Sequence, residues 1–116
     1  ANFSVASMQI QKLLVLVFKY IKKNYQSGKL NEFCRLTNYN PSYVSKTIHR
    51  YTGNTFKQLV NIYRIKQAKV LLRDLNLSID SIARKVGFSN ITIFYKNFEK
   101  ETKQTPSKFR KKNFTM

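Results

Sequence analysis

Ser42, Ser45, Lys46 and His49 recur at i, i+3, i+4 and i+7, the spacing of one helix face. Fifty residues further on, Thr92, Tyr95 and Lys96 repeat the first three positions, with Ile91 beside them. These side chains suit recognition better than bond-breaking. Lys donates to guanine O6 and N7, Ser and Thr hydroxyls work either way, and Ile and Thr methyls pack on the thymine methyl. For Ile91 and Tyr95 the competing role is packing against neighbouring helices. Pro41, Tyr43 and His49 stand around Ser42, Ser45 and Lys46 and are expected to make shoulder or phosphate contacts with the DNA. Asn40, Ser89 and Asn90 stand at helix starts, where backbone N–H groups favour anions. A paired-carboxylate cluster, a phosphate loop and a nucleophile–base arrangement are all missing from the sequence, so no enzyme activity is expected. One His and one Cys cannot make a zinc site of the usual composition, so neither metal nor cofactor is expected.

The elements that must carry these faces are helices. Asn40-Pro41 is a start signal, with Asn as N-cap and Pro at the first helical position. The helix from Pro41 to Tyr51 is expected to bury Val44, Ile48 and Tyr51. Before it, Leu30–Thr37 reads as a short helix with Leu30, Phe33, Cys34 and Thr37 inward, followed by the tight turn Asn38-Tyr39-Asn40. Helix, short turn and helix with a polar outer face make a helix-turn-helix. The pattern returns later. Ser78 caps Ile79–Val86, Gly87-Phe88 turns, and Ser89 is expected to cap a helix from Asn90 to Thr102. Leu30, Phe33, Cys34 and Arg35 match Ile79, Ile82, Ala83 and Arg84 at an offset of 49. Val44, Lys46, Ile48, Thr52 and Thr55 match Phe94, Lys96, Phe98, Thr102 and Thr105 at an offset of 50.

Between the repeats runs TFKQLVNIYRIKQAKVLLR, residues 55–73, without Gly or Pro. It reads as one helix with two apolar stripes on nearly opposite sides: Phe56, Leu59, Val60, Tyr63, Val70 and Leu71 on one, Ile62, Ile65, Ala68 and Leu72 on the other. Two stripes imply a spacer held between two packed modules. Lys66, Lys69 and Arg73 read as its solvated flank. The chain therefore divides into a linker or disordered start at 1–7, a first helix-turn-helix subdomain at 8–54, the linker helix at 55–73 and a second subdomain with a basic, frayed tail at 74–116. The first helix, Met8–Asn24, places Ile10, Leu13, Leu14, Val17, Phe18 and Ile21 inward. Val15 and Leu16 are either ordinary exposed apolar residues or a docking patch. Gly28 is expected to stop the helix.

Lys and Arg number 22 against five Asp and Glu, a formal net charge of +17. Such an excess destabilises a compact chain unless a polyanion partner selects for it, and nucleic acid is the first candidate. An anionic membrane surface is the second candidate, though no membrane partner is expected, and the apolar run Leu13–Phe18 is too short to span a bilayer. A single cysteine fits a reducing cytoplasm. The chain starts at Ala1 rather than Met, which suggests a piece of something longer. Two helices held ~34 Å apart can enter successive major grooves on one side of DNA. A nonspecific nucleoid-type or RNA-binding basic protein is the alternative, though it has no need of two duplicated modules.

The stretch from Ile79 to Lys100, with Ile82-Ala83, Gly87-Phe88, Phe94 and Phe98, followed by Thr105-Pro106 and Arg110, resembles the C-terminal signature of the AraC/XylS family of bacterial transcription regulators. Tyr43-Val44-Ser45-Lys46, Gly53, Phe56, Arg64, Ala68 and Leu72 agree in the first half. Lys103 departs from the pattern, standing where the family has Gly. The resemblance implies an all-α fold of about seven helices, with two homeodomain-like helix-turn-helix subdomains on a linker helix. It implies sequence-specific promoter binding in the cytoplasm, at the bacterial nucleoid, more often activating than repressing. The implied partners are promoter DNA, RNA polymerase and an N-terminal effector or dimerisation domain.

Overall fold

The computed structural model describes residues 4–114, and these form seven α-helices and no strand. They are α1 (Val5–Asn24), α2 (Leu30–Thr37), α3 (Pro41–Thr52), α4 (Phe56–Leu71), α5 (Ile79–Lys85), α6 (Ile91–Thr102) and α7 (Pro106–Phe114). The chain separates into two compact units, one ending at Val60 and the other starting at Asn61, so the division falls inside α4.

The first unit starts earlier than the sequence pattern suggests. Ser4 caps α1 by accepting the Ser7 N–H at 3.1 Å, so the helix takes in residues expected to be linker. The remainder of that expected linker, residues 1–3, lies outside the described residues. The inward stripe of α1 is Leu13, Val17, Tyr20 and Ile21. Phe18, expected inward, is 49% exposed, and Tyr20 occupies the core instead. The Tyr20 ring packs edge-on to Phe33 at 5.5 Å and lies 6.1 Å from Phe56. Its hydroxyl donates to Glu32 Oε1 at 2.6 Å and accepts from the Lys29 N–H at 3.1 Å. Burial, and then the bond to Glu32, raise the phenol above its ordinary pKa.

Gly28 serves space rather than backbone freedom. A Cβ there would meet the Asn24 carbonyl oxygen at 2.6 Å and the Tyr20 ring at 2.9 Å. In α3, Val44, Thr47 and Ile48 are buried. Tyr51, expected inside, is half exposed with the Arg50 guanidinium 5.6 Å from its ring centre. Tyr51 shares the angular position of Val44 and Ile48 but stands one residue from the end of α3, beyond the buried stretch of that face. Cys34 is buried, and burial pushes its thiol up, away from the reactive thiolate.

The second unit begins with Asn61 on α4. The buried residues of this helix are Phe56, Leu59 and Val60 before the division and Asn61, Arg64, Ile65, Ala68 and Leu72 after it. At 100° per residue the apolar members of the two sets lie on nearly opposite sides of the helix, Phe56, Leu59 and Val60 on one and Ile65, Ala68 and Leu72 on the other, as the two stripes predict. Ile62 and Val70 are 38% and 49% exposed, so neither belongs to a core as expected. The polar pair Asn61 and Arg64 fills the place of a continuous stripe. Arg64 Nη1 donates to Asn61 Oδ1 at 3.3 Å, and its guanidinium lies 5.4 Å from the Phe88 ring centre, while desolvation lowers its pKa.

Around them sit Ile82, Ala83, Val86, Phe94 and Phe98, all buried. Phe109 of α7 closes on Phe98 edge-on at 5.5 Å. The tail is not frayed at Lys111 and Lys112, since α7 continues to Phe114, whose ring lies 6.1 Å from that of Phe109. Arg110 fastens the unit. Its Nε donates to the Leu72 carbonyl at 3.1 Å, and its Nη2 to the carbonyls of Asp74 at 3.1 Å and Leu77 at 2.8 Å. It thereby ties together three carbonyls of the turn that follows α4.

Candidate nucleic-acid interface

Each unit holds a short helix, a turn in the left-handed region and a longer helix with an Asn cap. In the first, Asn38 turns at φ 62° and Asn40 Oδ1 accepts the Tyr43 N–H at 3.1 Å, ahead of Pro41. In the second, Gly87 turns at φ 115° and Asn90 Oδ1 accepts the N–H groups of Thr92 at 2.8 Å and Ile93 at 3.2 Å. Ser89 is therefore not the cap of α6; Asn90 is, in register with Asn40 at the offset of 50. The cap fixes where each helix starts, and so which side chains share its outer face.

The helix ends repeat as well. Thr52 Oγ1 donates to the Ile48 carbonyl at 2.7 Å and accepts from the Asn54 N–H at 3.1 Å. Thr102 Oγ1 donates to the Phe98 carbonyl at 2.8 Å and accepts from the Gln104 N–H at 3.2 Å. Gly53 and Lys103 cap the two helices in the left-handed region, at φ 74° and 62°. Thr55 and Thr105 then cap the following helices, accepting the N–H groups of Gln58 at 3.1 Å and Lys108 at 3.2 Å. The duplication read from residue types thus extends to individual hydrogen bonds.

Ser42, Ser45, Lys46 and His49 are all exposed on α3, and Thr92 and Lys96 are exposed on α6. Ile91 is 37% exposed, so packing accounts for only part of it. Tyr95 is half-buried, its ring edge-on to Phe94 at 5.8 Å, so part of it packs and part stays accessible. Asn40, Ser89 and Asn90 are exposed at the helix starts. Tyr43 is 45% exposed and stacks on Tyr39 at 6.4 Å, which in turn stacks on the buried Phe33 at 6.4 Å. This column anchors an exposed phenol beside the N-terminus of α3. Sequence reasoning missed Ile93, which is 47% exposed at the position of α6 that matches Tyr43 on α3. Carrying the offset of 50 through every position of the helix would have found it.

Among the described residues no group of His, Cys, Asp and Glu is placed to hold a metal ion. No described helix is long and apolar enough to cross a membrane.

Residues 33–112 match the model of a helix-turn-helix domain family. The chain belongs to the AraC/XylS family of transcription regulators. Among the relatives, the Msm operon regulatory protein of Streptococcus mutans is 34% identical over 96 residues, covering 82% of this chain and 34% of that protein. The melibiose operon regulatory protein of Escherichia coli K12 is 31% identical over 93 residues, covering 79% of this chain and 31% of that protein. The chain therefore spans about a third of the length of these relatives. Among solved structures, the C-terminal domain of AraT, a response regulator from Geobacillus stearothermophilus, superposes with a TM-score of 0.74 at 25% identity. That match covers 88% of this chain and 85% of the other. The family match therefore falls on the helix-turn-helix part of these longer regulators.

Proposed function

We propose that α3 and α6 are the reading helices, each entering a major groove of one promoter. Ser42, Ser45 and Lys46 face bases in one half-site, and Ile91, Thr92, Tyr95 and Lys96 in the other. His49, Asn40, Tyr43, Ser89 and Asn90 take the phosphates. The observation that carries this reading is the repeated exposed face on two helices started by equivalent Asn caps. The net charge of +17 supplies a sequence-independent attraction to either half. On this reading residues 8–54 and 74–116 are the two DNA-reading subdomains and 55–73 is the helix that links them.

The family and the operon-regulatory roles of its relatives support a non-enzymatic regulator, more often an activator, acting in the cytoplasm at the nucleoid. RNA polymerase is its proposed protein partner. The greater length of the relatives supports an additional N-terminal effector or dimerisation domain.

Selection of bound sites from random duplex DNA, with footprinting of the winner, tests the proposal. Lys46→Ala and Lys96→Ala should each weaken binding to the selected site by about 1–3 kcal/mol, with less loss on scrambled duplex. Equal loss on both, with the salt slope reduced by about one, assigns the residue to phosphate instead. No loss on either duplex removes both residues from the interface.

A further inference from the structure

The offset of 50 that pairs Ser42 with Thr92 and Lys46 with Lys96 pairs His49 with Glu99. Seven residues are two helical turns less about 20°, so Glu99 shares the face of Thr92 and Lys96. It is exposed, and its backbone is fixed, because its carbonyl accepts the Lys103 N–H at 2.8 Å. Glu101 points about 200° away around the helix and does not share that face.

A carboxylate is an odd occupant of a surface meant for a polyanion. The chain has only five acids. Three of the others sit in local structure: Glu32 accepts the Tyr20 hydroxyl, Asp74 Oδ1 accepts the Asn76 N–H, and Asp80 lies in the first turn of α5. Glu99 has Lys96, Lys100 and Lys103 at i−3, i+1 and i+4, and lines a surface cleft with Lys103 and Lys108. These cations lower the cost of bringing its negative charge against DNA. An ionised carboxylate only accepts hydrogen bonds. In the major groove the exocyclic amino group of cytosine suits it best, since adenine offers its N6 amino group only beside the acceptor N7, and guanine and thymine present acceptors.

We propose that Glu99 is a specificity-determining residue that accepts a hydrogen bond from the N4 amino group of a cytosine in the half-site under α6. The inference rests on α6 being a reading helix. Thr92 and Glu99 are ~10 Å apart along the helix axis at ~1.5 Å per residue. The cytosine therefore lies about three base pairs, at ~3.4 Å each, from the bases under Thr92.

The test is parallel selection from random duplexes with the wild-type chain and with Glu99→Gln. Wild type, Glu99→Gln and Glu99→Ala are then titrated on the wild-type winner and on its cytosine-to-thymine variant. Glu99 is exposed, and far-UV circular dichroism verifies that the variants fold. The wild type should lose ~10-fold on the thymine duplex, Glu99→Gln several-fold less, and Glu99→Ala nothing. An equal cytosine preference in wild type and Glu99→Ala overturns the inference. So does a uniform tightening of Glu99→Ala on every duplex, which makes Glu99 a mere repeller of phosphates. Thr92→Ala and Lys96→Ala separate the two levels. If they relax base preferences while the Glu99 variants do not, only the role of Glu99 fails. If they leave the selected site unchanged as well, α6 is not a reading helix and the broader reading fails with it.

Discussion

Lys103→Gly should stabilise the second unit, and Gly53→Ala should destabilise the first, through the same backbone geometry. Gly53 caps α3 at φ 74° and ψ 2°, and Lys103 caps α6 at φ 62° and ψ 16°. Both donate to the carbonyl four residues back, His49 at 2.9 Å and Glu99 at 2.8 Å. Only Lys103 carries a Cβ there. The left-handed region costs an L-residue about 1–2 kcal/mol through contact of Cβ with the following carbonyl. Against this, glycine loses about 0.4–1 kcal/mol more chain entropy on folding. The net gain for Lys103→Gly is about 0.5–1 kcal/mol, a rise in Tm of a few degrees for a unit of this size. A Cβ added at Gly53 meets no atom within 4 Å, so Gly53→Ala isolates the dihedral cost and should lose about the same amount.

Urea unfolding followed by circular dichroism measures both changes. Lys103→Ala is the control, since it removes the charge and keeps the Cβ. If Lys103→Ala stabilises as much as Lys103→Gly, the gain comes from relieving a net charge of +17, and the backbone argument fails.

Arg110→Ala should cost roughly 2–4 kcal/mol in urea unfolding, because it strips donors from three carbonyls. Arg110→Lys should recover less than half of that, since an ammonium cannot reproduce the guanidinium fork. Tyr20→Phe should cost about 1–3 kcal/mol by leaving Glu32 and the Lys29 N–H without their shared hydroxyl. The folded phenol has a raised pKa, so its contribution is complete below the unfolded value near 10 and fades as pH rises through the folded one. Stability measured from neutral to alkaline pH should therefore fall less steeply in Tyr20→Phe than in the wild type. Under α6, replacing thymine by uracil in the selected site should weaken wild-type binding as Ile91→Ala and Thr92→Ala do; unchanged affinity returns Ile91 to packing alone.

The helices and both turns were legible because their signals are local. Asn40-Pro41, Gly53, Gly87 and Thr105-Pro106 each fix a boundary by a dihedral or a cap that one residue type satisfies best. The misreadings arose where tertiary packing chose between neighbouring side chains. Phe18 and Tyr20 both fit an apolar stripe, and what favours Tyr20 is a buried hydroxyl with partners on Glu32 and Lys29, which periodicity cannot register. Likewise Ile62 and Val70 are as apolar as Ile65, yet the core takes Asn61 and Arg64, because the guanidinium stacks on Phe88 from the other helix-turn-helix elements of its unit. The exposure of the outer faces of α3 and α6 was easier to read than the make-up of the core. A face selected for contact with solvent or DNA follows helical spacing directly, while a core residue must also fit its neighbours.

On the proposed reading, a chain with so much positive charge must still discriminate between DNA sequences. Charge alone binds every duplex and varies steeply with salt, so selectivity must come from groups that lose something on the wrong base. The side chains of α3 proposed to meet bases are two serines and a lysine, short or flexible groups that tolerate several bases. On α6 the equivalent face carries Thr92 and Tyr95, with the methyl of Ile91 alongside. Its caps, turns and hydrogen bonds match those of α3, so the two helices are presented by nearly identical scaffolds. The difference in what they can read then lies in side chains, and the stricter half-site should be the one under α6. Exchanging Ser42 and Ser45 for Thr and Tyr, the residues of α6 at those positions, should sharpen preference in the first half-site without moving the second. A selected site in which the half under α3 is already the more constrained would contradict this account.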